Sequence, residues 1–589
     1  MSDPAVAARA AGAQSGCDAR RRSRGAGRAA DARATGAALL GTDARRQPAL
    51  ARRRRPRTAV RRAGNAVRGA RALVPRHHAA AVPRAARSAA AAFHWRRSVL
   101  DSVRERAKRL LIERRHRANE ARRAALGQRD GLPPARWSAA VSATGDLLIG
   151  GCAVAELAER FGTPLFVVDR DRLEAEYERF DAAFASVYPR VQIAYSYKTN
   201  PLPGALAVLH ELGAAAEVIS HFELWLALQL GVPPARIVLN GPGKGRDAIE
   251  LAVTRGVHLI NIDSLDEIDL VAAAARRAGR RQAVGVRVVT SVGWSAQFGL
   301  PIRGGAFEAF RRLRFMAELE PIGLHMHLGT GLHDVPTYLQ AISETLAFAG
   351  ALREQLGIEI RCFDLGGGFG VPTVREFDVW DERMMRHQRP PAPVDPDAAP
   401  DPSAYARAIV ELVRRFYPGN GSTLPVLLLE PGRALSSSAQ SLVLRVLAIK
   451  DTTAGPPAAI LDGGKNLAAP LGYEWHELLP VRGCHRAREH CYDFFGPLCH
   501  PGERLFVGKR FPPLATGDLV AVMDAGAYFV PNQTNFSQPR PAAVLAYGGR
   551  ATLLRERETF EDIVRRDRIF APAASRLATA ARAPTLRRP

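Results

Sequence analysis

The sequence of 589 residues lacks long hydrophobic runs and has few cysteines. No stretch of about 18 consecutive apolar residues occurs, so the pattern typical of a transmembrane helix is absent. The six cysteines do not indicate a disulfide framework; they favour a reducing compartment, and we expect the cytoplasm. The sequence also shows no apolar core of a secretory signal peptide.

Acidic residues are scarce at the amino-terminal end. Residues 1–136 contain 34 of the 83 Lys and Arg residues but only 9 of the 58 Asp and Glu residues, so the rest carries 49 of each sign. The net charge of +25 therefore belongs to this segment, and the main domain gives no electrostatic reason to expect nucleic-acid binding.

The composition of residues 1–137, rich in Arg and Ala with few aromatics, predicts a disordered basic tail, with a basic helix possible around 93–126. An over-extended gene start would explain the same composition. Two alternatives are an organelle-targeting segment and an arm that binds nucleic acid or another acidic partner.

From residue 171 onward, short apolar segments alternate with amphipathic helical patterns. The predicted strands cover residues 191–197, 215–220, 236–240, 257–263, 282–289, 322–328, 360–366 and 425–430. Eight such units predict an α/β fold, a (β/α)8 TIM barrel over residues 171–430. The Pro-rich stretch within residues 376–403 interrupts this pattern and is expected to be a loop or insertion.

The residues after 430 change to strand patterns without regular helices, which predicts a carboxy-terminal all-β domain over residues 431–549. Strands within residues 138–170 are expected to join that domain. Residues 550–589 are expected to form a helix and a loose Arg-rich end.

Polar side chains stand where the predicted barrel strands end, and barrel active sites lie at those carboxyl ends. They are Lys198, Ser220, His327, Asp364 and Glu430. Each alone is a weak signal, since a single Lys or His at a strand end is usually solvated or structural. Together with the "GGGFG" turn for a phosphate and Arg433 as a clamp, they indicate pyridoxal phosphate, whose aldehyde needs an amine and whose ring nitrogen needs a carboxylate.

The motifs "YSYKTN", "GLHMHLGTG", "DLGGGFG", "EPGR", "GPLC" and "DAGAY" occur in this order. Over about residues 145–549 the chain resembles the pyridoxal-phosphate decarboxylases with an alanine-racemase-like fold, a group that includes diaminopimelate, ornithine and arginine decarboxylases. The resemblance implies a small amino-acid substrate and a homodimer with shared active sites. It implies no membrane contact.

The resemblance also implies roles for individual residues. Lys198 would bind the aldehyde, and Cys499, supplied across the dimer interface, would handle the proton after carbon dioxide leaves. The implied cofactor-binding residues are Lys198, Ser220, His327, Thr330, Gly366, Gly367, Gly368, Glu430, Arg433 and Tyr528. Glu430 would keep the ring nitrogen protonated, which favours a decarboxylase over a racemase. We expect burial beside cationic groups to lower the pKa of Lys198.

Two positions depart from the pattern of diaminopimelate decarboxylases. Arg433, Tyr473 and His500 are the implied substrate-binding residues, but Ala469 stands where an Arg is expected and His500 where an acid is expected. The reaction is therefore better defined than the substrate. Meso-diaminopimelate, in lysine biosynthesis, is the first candidate; ornithine, arginine, another amino acid of a specialised pathway and racemisation are the alternatives.

Two other functions remain open on the sequence. Cys484, His485, His490, Cys491, Cys499 and His500 include zinc-ligand residue types, but paired C-x2-C spacing is absent, and we expect no metal. A non-catalytic, cofactor-binding regulator is the other alternative. It is disfavoured because both Lys198 and Cys499 are present.

Overall fold

The structure is a computed structural model that describes residues 84–453 and 455–568, with side chains from residue 104. The predicted tail up to residue 83 and the end after residue 568 lie outside the described residues. The elements before the barrel are α1 (Arg84–Ala125), β1 (Ala140–Val141), β2 (Leu147–Ile149), β3 (Cys152–Ala153), α2 (Val154–Phe161) and β4 (Leu165–Asp169). No helix in the described part of the chain is long and apolar enough to cross a membrane.

The end of α1 is attached to the Pro-rich insertion. The Arg389 guanidinium donates to Glu113 of α1, and Arg123 donates to the Pro391 carbonyl at 2.8 Å. Just after the helix, the Gln128 amide donates to the Val394 carbonyl at 2.9 Å. Residues 104–137, which composition places within the tail, therefore belong to the folded part, because polar contacts that local composition does not reveal hold them there.

The barrel occupies the next part of the chain. The strands of this part are β5 (Val191–Ser196), β6 (Ala215–Val218), β7 (Ile237–Leu239), β8 (Leu259–Ile262), β9 (Gln282–Val289), β10 (Leu300–Pro301), β11 (Leu319–His325), β12 (Cys362–Asp364), β13 (Arg375–Glu376) and β14 (Val426–Leu429). The helices are α3 (Arg170–Ala185), α4 (Pro203–Glu211), α5 (His221–Gln229), α6 (Arg246–Arg255), α7 (Leu265–Arg277), α8 (Phe307–Leu313), α9 (Val335–Leu356), α10 (Val379–Arg386), α11 (Pro402–Phe416) and α12 (Arg433–Ser436).

Eight parallel strands close the barrel in the order β5, β6, β7, β8, β9, β11, β12 and β14, with β14 returning to β5. The (β/α)8 prediction is confirmed, and each predicted strand overlaps an observed one. Strands β6, β7 and β8 are buried at every position, as expected for parallel strands covered by helices. A polar residue in such a strand must therefore find a partner inside the barrel.

The β-rich region after the barrel contains β15 (Gln440–Lys450), β16 (Ala458–Leu461), β17 (Glu474–Trp475), β18 (Leu478–Pro480), β19 (His490–Phe495), β20 (Arg504–Phe511), β21 (Leu519–Val522), β22 (Ala542–Tyr547) and β23 (Arg550–Arg555). A short helix, α13 (Phe560–Val564), follows. Strand β4 lies between β15 and β22, so a strand that precedes the barrel completes this sheet.

The Pro-rich insertion carries ordered structure of its own. Asp378 caps α10 by accepting from the backbone N–H of Asp381, and Asp381 in turn binds Arg375. Strand β13 pairs with β17 in antiparallel register, with Glu376 opposite Glu474. This pairing ties β17 to the segment that follows β12, and so holds Glu474 in place.

Candidate active site

Lys198 follows β5 directly, in a short 3-10 turn at the barrel mouth. Its Nζ donates to the Ser196 hydroxyl at 2.7 Å and to the Glu217 carboxylate at 2.8 Å. Burial lowers the pKa of Lys198, but the charges of Glu217 and Glu430 outweigh burial, and the pKa is raised overall. The expectation of a pKa lowered by cationic neighbours is therefore wrong for this arrangement, because the nearest partner is a carboxylate.

A buried polar network crosses the barrel beneath Lys198. The Asn240 amide donates to Glu217 at 3.0 Å and to Glu430 at 2.5 Å, so one side chain joins two carboxyl groups. The Asn261 amide donates to the Asn240 carbonyl and to Asp364, both at 2.8 Å. Three carboxyl groups thus share the floor of the mouth with two amides.

Two carboxyl groups of this network, those of Glu430 and Asp364, have raised pKa values. Burial, reinforced by the charges of Asp364 and Glu217, raises the pKa of Glu430 well above its usual value. Burial also raises the pKa of Asp364 to about 7, despite hydrogen bonds from Glu430 and the Gly366 backbone. Like-charged carboxyls this close cannot all ionise without a cation, so a protonated ring nitrogen would find an acceptor here.

The glycine turn after β12 leaves no room for side chains. A Cβ on Gly367 would lie 2.2 Å from the Glu430 carbonyl oxygen, and one on Gly368 would lie 2.2 Å from the Gly329 carbonyl oxygen. The Gly367 N–H donates to His327 Nδ1 at 3.1 Å, so the neutral ring keeps its proton on Nε2. Burial, helped by Lys198 and Arg287, holds the pKa of His327 well below its usual value.

Arg433 begins α12, three residues after Glu430. Its two terminal nitrogens donate to the two carboxylate oxygens of Glu474, and both side chains are buried. The guanidinium also lies over the Tyr528 ring, with its Cζ 5.2 Å from the ring centroid. The Tyr528 N–H donates to the Thr199 carbonyl at 2.8 Å, which connects this group to the turn that carries Lys198.

Other residues named from the sequence have different surroundings. Ser220 caps α5 by accepting from the Glu223 N–H at 3.1 Å, and Thr330 is partly buried beside the glycine turn. Tyr473, 46% exposed, precedes Glu474 on the chain. Cys499 and His500 are exposed, and no hydrogen bond or ion pair joins either to the Lys198 network in the described structure. Their roles in proton transfer and substrate binding stay predictions.

The cysteine- and histidine-rich segment 484–500 does not assemble a metal site in the part of the chain that the structure describes. Among all the described residues, the group of His, Cys, Asp and Glu side chains whose possible ligand atoms lie close together is His325, Asp364 and Glu430. That group lies in the buried network, where Glu430 faces His325 at 3.8 Å. No residue of segment 484–500 belongs to it.

Sequence reasoning missed several residues of the network. Glu217, Asn240, Asn261, Arg287 and Glu474 were not identified as site residues. A usable signal existed for the first three, because an acid or amide at the end of a fully apolar barrel strand needs a buried partner. Glu474 gave no such signal, since only the fold brings β17 to the barrel mouth.

These residues fit pyridoxal phosphate. The glycine turn admits a close-lying phosphate, Lys198 supplies an amine, His327 offers a neutral ring, and Glu430 offers a buried carboxyl where a protonated nitrogen would be stabilised. A closed (β/α)8 barrel with this mouth and an attached β-rich region defines a class of pyridoxal-phosphate enzymes.

Known proteins narrow this class to one family. The model of the pyridoxal-binding domain of pyridoxal-dependent decarboxylases matches residues 170–437. Diaminopimelate decarboxylase of Methanothermobacter thermautotrophicus is 31% identical over 438 residues, covering 72% of this chain and 96% of that protein. The Pseudomonas aeruginosa enzyme is 33% identical over 433 residues, covering 71% and 96%. The chain belongs to this family of pyridoxal-phosphate-dependent decarboxylases.

Solved structures agree in fold. Diaminopimelate decarboxylase of M. jannaschii in complex with L-lysine has a TM-score of 0.66 and 27% identity, covering 74% of this chain and 98% of that one. The Aquifex aeolicus protein AQ1208 has a TM-score of 0.64 and 29% identity, covering 73% and 98%. The barrel and the β-rich region are thus shared over nearly the whole length of these proteins.

Proposed function

We propose that this enzyme removes the α-carboxylate of a diamino acid, and that meso-diaminopimelate is the first substrate to test. The observation that carries the proposal is the buried network of Lys198, Glu217, Asn240 and Glu430 at the barrel mouth. The relatives named diaminopimelate decarboxylase support this choice of substrate.

In this proposal each residue has a distinct task. Pyridoxal phosphate, when bound, accepts the electron pair that remains after carbon dioxide leaves. Lys198 would hold the aldehyde end, and Glu430, which accepts a hydrogen bond from Asn240, would hold the proton of the ring nitrogen. His327 would present to the cofactor a ring oriented by the Gly367 N–H, and Gly366–Gly368 together with Tyr528 would hold the phosphate. Ser220 and Thr330 would also contact the cofactor.

A homodimer with shared active sites belongs to the proposal. Cys499 and His500 are exposed on the segment between β19 and β20 and, among the described residues, form no hydrogen bond or ion pair with the Lys198 network of their own chain. In the dimer, Cys499 of one protomer would return a proton to the carbon at its partner's site, and His500 and Tyr473 would contact substrate. A cytoplasmic location, expected from the few cysteines of the sequence, is also part of the proposal.

The decisive experiment measures carbon dioxide release by the pyridoxal-phosphate-loaded enzyme. The substrates are meso-diaminopimelate, L-lysine, L-ornithine, L-arginine and a D-amino acid. We expect release from a diamino acid and loss of release in Lys198→Ala. An active Lys198→Ala variant would refute the assigned role of Lys198, and a loaded enzyme inert toward every amino acid would support the regulator instead.

A further inference from the structure

Arg433 and Glu474 form a closed pair at the barrel mouth. The Nη1 nitrogen of Arg433 donates to one Glu474 oxygen at 3.1 Å, and Nη2 donates to the other. The Arg433 side chain is 4% exposed and that of Glu474 is 2% exposed. Bidentate pairing of this kind uses the same donor fork that would bind a carboxylate of a ligand.

His476 also contacts Glu474 and is itself held in place by the backbone. His476 Nε2 lies 3.3 Å from a Glu474 oxygen, and its other ring nitrogen lies 3.1 Å from the Met523 carbonyl oxygen. Although burial opposes ionisation, hydrogen bonds from His476 and the charge of Arg433 keep the pKa of Glu474 below its usual value. Glu474 is thus an anion at this position, and among the described residues the Nε of Arg433 is the one nitrogen of that guanidinium without a partner.

Two further cations of the mouth also have carboxylate neighbours, although more loosely in the case of Arg287. Lys198 is paired with Glu217 at 2.8 Å, and Arg287 faces Asp263 at 3.9 Å. A ligand carboxylate that took Arg433 would leave Glu474 buried without its cation, which is costly. Binding of a ligand's second carboxylate at Arg433 is therefore unfavourable. An ω-ammonium group of a ligand does not need Arg433 and leaves the pair intact.

We propose that Glu474 is a specificity-determining residue, which holds Arg433 and makes the enzyme select diamino acids that carry a single carboxylate. The inference rests on the proposed decarboxylation of a diamino acid and refines its substrate class to that of lysine and ornithine, with meso-diaminopimelate disfavoured. Ala469, in the 3-10 segment that leads to Glu474, adds no cation that could replace Arg433.

The test compares the holoenzyme with Glu474→Gln, which keeps the shape and removes the charge, and with Glu474→Asp, which keeps the charge. Two quantities are measured. One is the ratio of kcat/KM for meso-diaminopimelate to kcat/KM for L-lysine and L-ornithine. The other is calorimetric binding of pimelate, an unreactive dicarboxylate. The ratio compares substrates with the same enzyme preparation, and calorimetry fits the affinity separately from the number of active sites. A smaller folded fraction therefore changes neither the ratio nor the fitted affinity.

We expect the parent enzyme to favour lysine or ornithine. Glu474→Gln should shift the ratio toward meso-diaminopimelate by about tenfold or more and tighten pimelate binding by a similar factor, as for one charge-assisted pair. Glu474→Asp should retain most of the parent selectivity. Glu176→Gln is the matched control, because Glu176 is a buried glutamate that pairs with Arg172 and Arg179 on α3.

A second variant covers the case in which Glu474→Gln does not fold. Ala469→Arg leaves the Arg433–Glu474 pair intact and adds an unmatched guanidinium nearby, so it should tighten pimelate binding. A parent enzyme that prefers meso-diaminopimelate, with a ratio unchanged in Glu474→Gln, would overturn the inference. If no amino acid releases carbon dioxide, the proposed function fails, while pimelate binding still decides the role of Glu474.

Discussion

The carboxylate of Glu217 lies 2.8 Å from the Nζ of Lys198, and the Ser196 hydroxyl donates to the same carboxylate oxygen. The amine that must react is therefore held as an ammonium by a residue of the neighbouring barrel strand. Attack on an aldehyde needs the neutral amine, so this contact controls the pH at which the cofactor can be captured.

Glu217→Gln should make cofactor capture possible at lower pH. The substitution keeps hydrogen-bonding capacity but removes the charge that raises the pKa of Lys198. We expect the midpoint of the capture rate against pH to fall by about 1 to 2 units, as for loss of one nearby opposite charge. The measurement follows visible absorbance as apoenzyme and pyridoxal phosphate recombine. Glu211→Gln, at an exposed ion pair with Arg170, serves as control, and an unmoved midpoint would contradict the assignment.

Asp364→Asn should change how stability depends on pH. The pKa of Asp364 is about 7 in the folded chain, against about 4 in an unfolded one. Such a raised pKa stabilises the fold fully below about pH 4, and this stabilisation is lost as the pH rises through about 7. The free energy of unfolding of the apoenzyme should thus fall across this range relative to Asp364→Asn, by roughly 2 kcal/mol or more. Chemical denaturation at several pH values measures it, and parallel curves would disprove the prediction.

Gly367→Ala should weaken both the fold and the cofactor site. The added Cβ would lie 2.2 Å from the Glu430 carbonyl oxygen, so the turn must move. We expect a loss of about 1 to 3 kcal/mol in the free energy of unfolding, typical of overpacking, together with weaker binding of pyridoxal phosphate.

Gly350→Ala on α9 is the control for that glycine, because its Cβ would meet no atom within 4 Å. In a helix interior this change should stabilise slightly. Thermal unfolding and cofactor titration of the two variants distinguish the sites. Equal behaviour of both variants would show that the Gly367 turn tolerates a side chain.

The barrel strands and the residues at their ends could be predicted from local sequence patterns. The alternation of apolar segments with helical ones locates the eight strands that close the barrel, and Lys198, His327 and Glu430 stand at strand ends in the sequence itself. Their convergence follows from the rule that active sites of such barrels lie at the carboxyl ends of the strands. The motif order then identifies the cofactor, which the family match confirms.

Which charged side chains pair with each other could not be predicted from local patterns. Glu474 meets Arg433 because β17 pairs with β13 of the insertion, a contact between residues 41 positions apart that no local pattern encodes. Likewise, Glu217 raises the pKa of Lys198, contrary to the expected effect of cationic neighbours. Burial and neighbouring charges set a pKa, and both arise only when distant segments pack together.

The barrel, the cofactor class and the lysine that serves the cofactor could all be inferred from the residues alone, since periodicity and strand-end residues are local properties. The folded chain was needed to identify which charges neutralise each other at the mouth: Lys198 with Glu217, and Arg433 with Glu474. Electrostatic interactions depend on distance and burial, and chain folding creates both. The proposed substrate preference therefore follows from pairs that residue types alone do not reveal.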